Sequence, residues 1–266
     1  MERIVDISHQ LSWLRKPGRI NRACFRLLER ILGFDAINRV FGAALENARS
    51  DTYNARMLEE LDIEVMATGA GESAFPKEGP LIVVSNHPFG GADSIALAAL
   101  TLRVRPDSKV LANEFLSTIE MLKPHLITVD VFGGTEATRR NRAAMREVKS
   151  HLDSGGTLSV FPSGEVSSWS WKENRVVDPP WSNMMDRLAR KTGATVIPIF
   201  IPGRNSMLFH ALGMIHPFLR TAWLTRELLR HRGTPIELVI GDPVEADRIE
   251  GDLRSLVEQV RIDSGH

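Results

Sequence analysis

Residues 81–100 read LIVVSNHPFGGADSIALAAL. The aliphatic run Leu81-Ile82-Val83-Val84 is bounded by turn formers, the pattern of a strand buried in a core. Pro88, Gly90 and Gly91 then break the chain, and Ser94-Ile95-Ala96-Leu97 begins a helix expected over 93–104. Strand, glycine-containing turn and helix, in that order, form the unit from which α/β sheets are built, and loops leaving the strand ends of such sheets are where ligands sit. His87 falls where the strand ends, with Asp93 six positions later. The stretch reads as fold unit and site together.

Outward from this unit the alternation continues. Strands are expected near 62–67, 80–85, 108–112, 126–131, 157–161, 195–201 and 235–240, and helices near 93–104, 114–122, 136–153, 181–192, 217–232 and 252–262. The implied fold class is α/β, a largely parallel central sheet flanked by helices, with an N-terminal helical segment. Residues 9–61 carry helical spacing without strand alternation. The domain reading is therefore an N-terminal amphipathic helical segment over 1–61 and an α/β domain over 62–266. Within Val196-Ile197-Pro198-Ile199-Phe200-Ile201-Pro202, two prolines confine the strand to an edge or to an irregular course.

The 266 residues are 43% hydrophobic and 25% charged, with 33 basic residues balancing 33 acidic ones. Such a balance gives no electrostatic footprint for nucleic acid. Locally the balance breaks: residues 1–50 carry nine Lys/Arg against five Asp/Glu, and 215–232 carry four Arg against one Glu. A single cysteine, Cys24, excludes an intramolecular disulfide and any cysteine-rich metal site, and no metal is expected. The start MERIVDISHQL lacks the basic-then-apolar layout of a secretory signal. No apolar run approaches the ~20 residues of a spanning helix, so any membrane contact is peripheral and the expected compartment is the cytoplasm.

The chemistry begins with His87 and Asp93. A neutral imidazole takes a proton from an alcohol, and a carboxylate on its other nitrogen fixes the tautomer and stabilises the imidazolium. Pro88, Gly90 and Gly91 permit the loop to fold back and bring the two together. A plainer reading has Asp93 capping the helix and His87 serving as an ordinary core histidine. The second stretch, Phe161-Pro162-Ser163-Gly164-Glu165, offers backbone N–H groups suited to an oxyanion and a carboxylate suited to a substrate hydroxyl or amine. No Gly-x-Ser-x-Gly makes Ser163 a nucleophile. Arg204, after the third run, is an anion-binding candidate. Arg139, Arg142, Arg146 and Lys149 form a basic stripe opposite Ala144, Val148 and Leu152, either a solvated face or in part a hold for an anionic headgroup or the donor's phosphates.

The three stretches, in this order, resemble the lysophospholipid acyltransferase superfamily over about residues 80–240. Asn86-His87 with Asp93 matches its first block, Phe161-Pro162-Ser163-Gly164-Glu165 its Phe-Pro-Glu-Gly-Thr block, and Val196–Pro202 its proline-containing apolar block. The closest likeness is to a bacterial branch called hemolysin-like, some of whose members acylate lyso-ornithine or related amino-acid lipids. The chain departs from the family in three places. The His-to-Asp gap holds one extra residue, Ser163 replaces the block's glutamate with Glu165 two positions on, and Val131 follows Val129-Asp130 where arginine is common.

The resemblance implies a glycerol-phosphate acyltransferase-like fold and O-acyl transfer to the hydroxyl of a lysolipid. The donor would be acyl-ACP or acyl-CoA, a co-substrate, with no cofactor. It assigns His87 as general base and Asp93 as its orienting partner, with Asn86, Gly90, Ser163, Gly164 and Glu165 as substrate-binding residues; Arg139, Arg142 and Arg204, read above as anion-binding candidates, complete the expected substrate-binding set. The expected partners are the lysolipid acceptor, acyl carrier protein or a coenzyme A thioester, and a membrane surface, with no nucleic acid. The expected place is the inner face of the cell membrane. A non-catalytic lipid-binding protein and an acyl-thioester hydrolase are the alternatives. Three elements could meet lipid or be ordinary core: the basic amphipathic helix 20–31, helix 217–232, and the loop carrying Trp169, Trp171 and Trp181.

Overall fold

The computed structural model describes residues 27, 29–46, 48–130 and 135–266. Their order is α1 (Phe34–Leu45), α2 (Tyr53–Glu60), β1 (Val65–Gly69), β2 (Leu81–Ser85), α3 (Gly91–Val104), β3 (Lys109–Asn113), β4 (Leu126–Val129), α4 (Thr135–Asp153), β5 (Thr157–Val160), β6 (Ser168–Ser170), β7 (Arg175–Val177), α5 (Met184–Thr192), β8 (Thr195–Phe200), α6 (Met207–Ile215), α7 (Pro217–Arg230), β9 (Ile236–Ile240) and α8 (Leu253–Asp263). Among the described residues the sheet has seven strands in the order β1-β9-β8-β2-β5-β3-β4. Five neighbouring pairs are parallel, and only β8 and β9 are antiparallel. The expected largely parallel α/β sheet is what the chain forms.

β2 lies inside this sheet, so both its faces are covered. Leu81 and Val83 point into one apolar layer with α1, α2, α3 and Leu228 of α7. Ile82 and Val84 point into the other, with α4, α5 and α8. Burying each such side chain contributes about 1.5–3 kcal/mol, which is why an unbroken aliphatic run occupies this position. Tyr53 and Met57 of α2 and Ile37 and Phe41 of α1 share the first layer, so residue 61 marks a change of element type within one core.

One expectation is corrected, one of two alternatives is selected, and one helix is added. Helix 114–122 does not form: two 3-10 turns, Glu114–Thr118 and Lys123–His125, take its place. Ser117 and Thr118 turn their hydroxyls back onto the carbonyls of Glu114 and Phe115, which competes with helix propagation, and Pro124 follows. β8 is not an edge strand, since it lies between β9 and β2; the irregular course is the one it takes. Its pairings on the β9 side are Val196 with Val244 and Ile199 with Ile240, so two residues on β8 face three opposite, a bulge in which Pro198 falls. The segment 207–215, outside the expected elements, is helix α6.

Candidate functional site

The five strands β8, β2, β5, β3 and β4 run the same way, so the loops after β2, β5 and β8 emerge together. The loop after β2 folds back as its glycines allow: Gly90 has φ +86, and a Cβ there would meet Leu224 at 2.8 Å and Val166 at 3.1 Å. This bend brings His87 Nδ1 to 2.9 Å from Asp93 Oδ1 despite the extra residue between them. Asp93 is 0% exposed and the His87 side chain 14%. The other carboxylate oxygen of Asp93 accepts the N–H groups of Phe89 (2.8 Å) and Gly90 (3.2 Å). Capping and pairing are thus both true, one oxygen for each.

The imidazole stacks on Phe161 at 4.0 Å with 22° between the planes, so its rotation is held by the loop after β5. Its Nε2 has no partner among the described residues. Burial alone would lower the pKa of His87, but the charge and hydrogen bond of Asp93, with a weaker contribution from Asp178, leave it raised.

A second carboxylate, which the sequence reading missed, supports the histidine from behind. Asp178 accepts the His87 backbone N–H at 3.1 Å, Trp181 Nε1 at 2.9 Å and the Ser167 hydroxyl, while Ser167 N–H donates to His87 O at 2.8 Å. Burial holds its pKa up, against these hydrogen bonds. The sequence cue is an aspartate placed between Val177 and two prolines in a loop that carries three tryptophans. Trp181, weighed as a lipid contact, is tied to Asp178 instead; Trp169 and Trp171 meet edge to face at 6.1 Å, with Trp171 exposed.

The substrate-binding set divides. Asn86 is committed to structure: its amide donates to Ile201 O (2.8 Å) and its carbonyl accepts Ile201 N–H (2.7 Å), which locks the ends of β2 and β8 together. Gly90 likewise supports the loop. The Gly164 N–H closes a turn onto Phe161 O at 3.0 Å and is not free for an oxyanion; the amides of Ser163, Glu165 and Val166 donate to nothing among the described residues. Ser163 bonds the carbonyl of Glu165 at 2.8 Å. Glu165, 63% exposed, pairs with Arg220 at 2.9 Å, a contact across 55 residues that no local signal announces.

Arg204 lies exposed in the loop after β8, and Asn205 beside it donates to Phe89 O at 3.2 Å. Arg139 and Arg142 are exposed on α4, away from the layer that holds α3. Val131 lies outside the described residues, as does most of helix 20–31, of which Leu27 and Ile31 are described and exposed. Among the described residues no cluster of acidic, histidine or cysteine side chains suits a metal, and no helix is long and apolar enough to cross a membrane.

The chain is similar to a "Lyso-glycine lipid O-acyltransferase" of Phocaeicola vulgatus, 27% identical over 86% of this chain and 81% of that one. A protein of the same name from Bacteroides thetaiotaomicron is 27% identical over 82% of this chain and 79% of its own length. Among solved structures, the 1-acyl-sn-glycerophosphate (LPA) acyltransferase PlsC of Thermotoga maritima aligns with TM-score 0.49 and 21% identity, covering 90% of this chain and 96% of that one. A family model described as "Acyltransferase" matches residues 13–265, so nearly the whole chain, the paired histidine and aspartate included, belongs to the acyltransferase family.

Proposed function

We propose that this acyltransferase moves a fatty acyl chain from an acyl thioester, on coenzyme A or acyl carrier protein, to the hydroxyl of a lysolipid. The observation that carries the reading is the 2.9 Å contact between His87 Nδ1 and Asp93 Oδ1 at a strand end, with Nε2 left over to face a substrate. The Nδ1 proton is held by the carboxylate, so Nε2 is the basic nitrogen. It takes the acceptor's hydroxyl proton as the oxygen attacks the thioester carbonyl. The tetrahedral oxyanion is met by backbone N–H groups of the Ser163–Val166 turn. The C–S bond then breaks, and the imidazolium returns its proton to the departing sulfur. No acyl-enzyme is formed.

The names of the two lyso-glycine lipid O-acyltransferases support an acceptor whose headgroup is an amino acid. Glu165, with Arg220 neutralising it, is the acceptor-positioning residue of this reading. An acceptor drawn from lipid accords with a peripheral protein at the inner face of the cell membrane. The test is product analysis with purified protein and radiolabelled acyl thioester. Labelled diacyl product should appear only when lysolipid is supplied; free fatty acid released at the same rate without acceptor would overturn transfer in favour of hydrolysis, and binding without turnover would overturn catalysis.

A further inference from the structure

We infer that the tip of the α6–α7 helical hairpin is the surface by which the folded domain docks on an anionic lipid leaflet. Residues 206–219, SMLFHALGMIHPFL, contain no Asp, Glu, Lys or Arg. Fold places much of this apolar content outside. Ile215 is 73% exposed and Met207 63%, and Leu208, Met214, Phe218 and Leu219 are exposed with them. Only Phe209 and His210 of α6 are buried. Met214, Ile215, Phe218 and Leu219 flank the turn between the helices, with Met207 and Leu208 at the opposite end of α6; the four at the turn already exceed the scattered singles of an ordinary surface.

Charge selects the occupant. In sequence the apolar stretch is bracketed by Arg204 and Arg220; α7 continues with Arg226 and Arg230, and Arg232 follows its end, these last three all exposed. Arg204, Arg226 and Arg232 have no ion pair among the described residues. An apolar tip with cations set back from it matches a leaflet, whose acyl region takes the tip while anionic headgroups meet the guanidinium groups. A second copy of the chain would bring the same arginines face to face, and a knuckle two short helices wide is small beside the ~800 Å² per partner of a stable dimer.

Continuity with the site supplies the reason. Arg220, at the inner edge of the tip, holds Glu165 at 2.9 Å, and Leu224, one turn on, packs against Gly90 of the histidine loop. Docking by the tip would set the histidine loop close to the headgroup layer. This deepens the lysolipid reading and rests on it. It also divides the 217–232 segment, whose first turn faces out while Leu228 is buried and Trp223 packs on the core.

The experiment uses the full chain with phosphatidylcholine–phosphatidylglycerol vesicles. Met214→Ser with Ile215→Ser should weaken sedimentation with vesicles about tenfold or more, and slow acylation of a vesicle-borne lysolipid to match. Turnover of a short-chain acceptor dissolved as monomers should be unchanged. Loss of that soluble turnover would point to misfolding or a failed acyltransferase reading, separately from docking. An environment-sensitive fluorophore on Ile215→Cys, in a Cys24→Ser background, should shift to the blue on vesicle addition, less so at high salt. No shift would overturn the proposal even if the N-terminal segment binds lipid independently. So would loss of self-association, rather than of vesicle binding, in the serine variant.

Discussion

Helix α3 has a buried polar group at each end, and the two ends do different things. At its start, Asp93 gives one oxygen to two backbone amides and the other to His87, whose Nε2 is left over. Just past its end, Arg105 is 4% exposed and fully engaged: it bonds the carbonyls of Pro76 (2.9 Å), Gly79 (3.1 Å) and Gly155 (2.8 Å), and Asp107 through two nitrogens (2.9 and 2.8 Å). A buried polar group whose valences are all met is a staple between loops. One whose network ends in an unmet nitrogen beside an open strand end is equipped to react.

The contrast is broken most directly by His87→Ala. Acyl transfer per folded molecule should fall about 10⁴-fold, the upper end for a general base, with the melting temperature little changed; a variant that keeps its rate would refute the assignment. Arg105→Met should do the reverse. It strands three half-buried carbonyls and the Asp107 carboxylate, so stability should drop by about 3 kcal/mol and the melting temperature by roughly 6–12 °C. The rate of the folded fraction should not change. Calorimetry alongside activity separates the two, and a rate loss in Arg105→Met without destabilisation would erase the distinction.

Asp178→Asn sharpens it. The amide cannot accept from all three of its donors, and about a tenfold loss of rate is expected. The discriminating measurement is the pH profile. Because the pKa of His87 is raised, the acid limb of kcat/KM should lie above the ordinary imidazole value in the parent protein. Removing the Asp178 charge should move that limb to lower pH, which a purely structural loss would not do. The sign for stability runs the other way: a proton held more tightly in the folded state stabilises it at low pH, and that contribution fades as pH rises through the raised pKa. Acidification should therefore reduce activity while the stabilisation contributed by this group grows.

The smallest effect belongs to the pair with an exposed carboxylate. Glu165 and Arg220 meet at the surface edge, where ion pairs contribute little to stability. Glu165→Gln should raise KM for the acceptor a few-fold with kcat nearly unchanged, and a kcat collapse instead would move Glu165 into the chemistry.

Much of this was legible locally. The buried strand 81–84, the helix after it and the strand–helix alternation follow from periodicity, because side-chain period is a property of consecutive residues. The dyad was legible as two residue types on either side of a glycine bend. Helix 114–122 was misread because side-chain-to-backbone bonds from Ser117 and Thr118 compete with the helix at a strength that composition does not report. The contacts of Asp178 with His87, Arg220 with Glu165 and Asn205 with Phe89 have no local signal, because the partners lie 91, 55 and 116 residues apart.

By itself, then, the sequence determined that a histidine and an aspartate flank a flexible bend at the end of a core strand, and that apolar and basic residues alternate along the later helices. Only the tertiary structure decided that one carboxylate oxygen caps the helix while the other meets the imidazole. It also decided which apolar residues of α6 and α7 are left outside. The physical reason is range: propensity and periodicity act over a few residues, whereas the direction of a lone pair and the burial of a helix face depend on elements that pack together from distant parts of the chain.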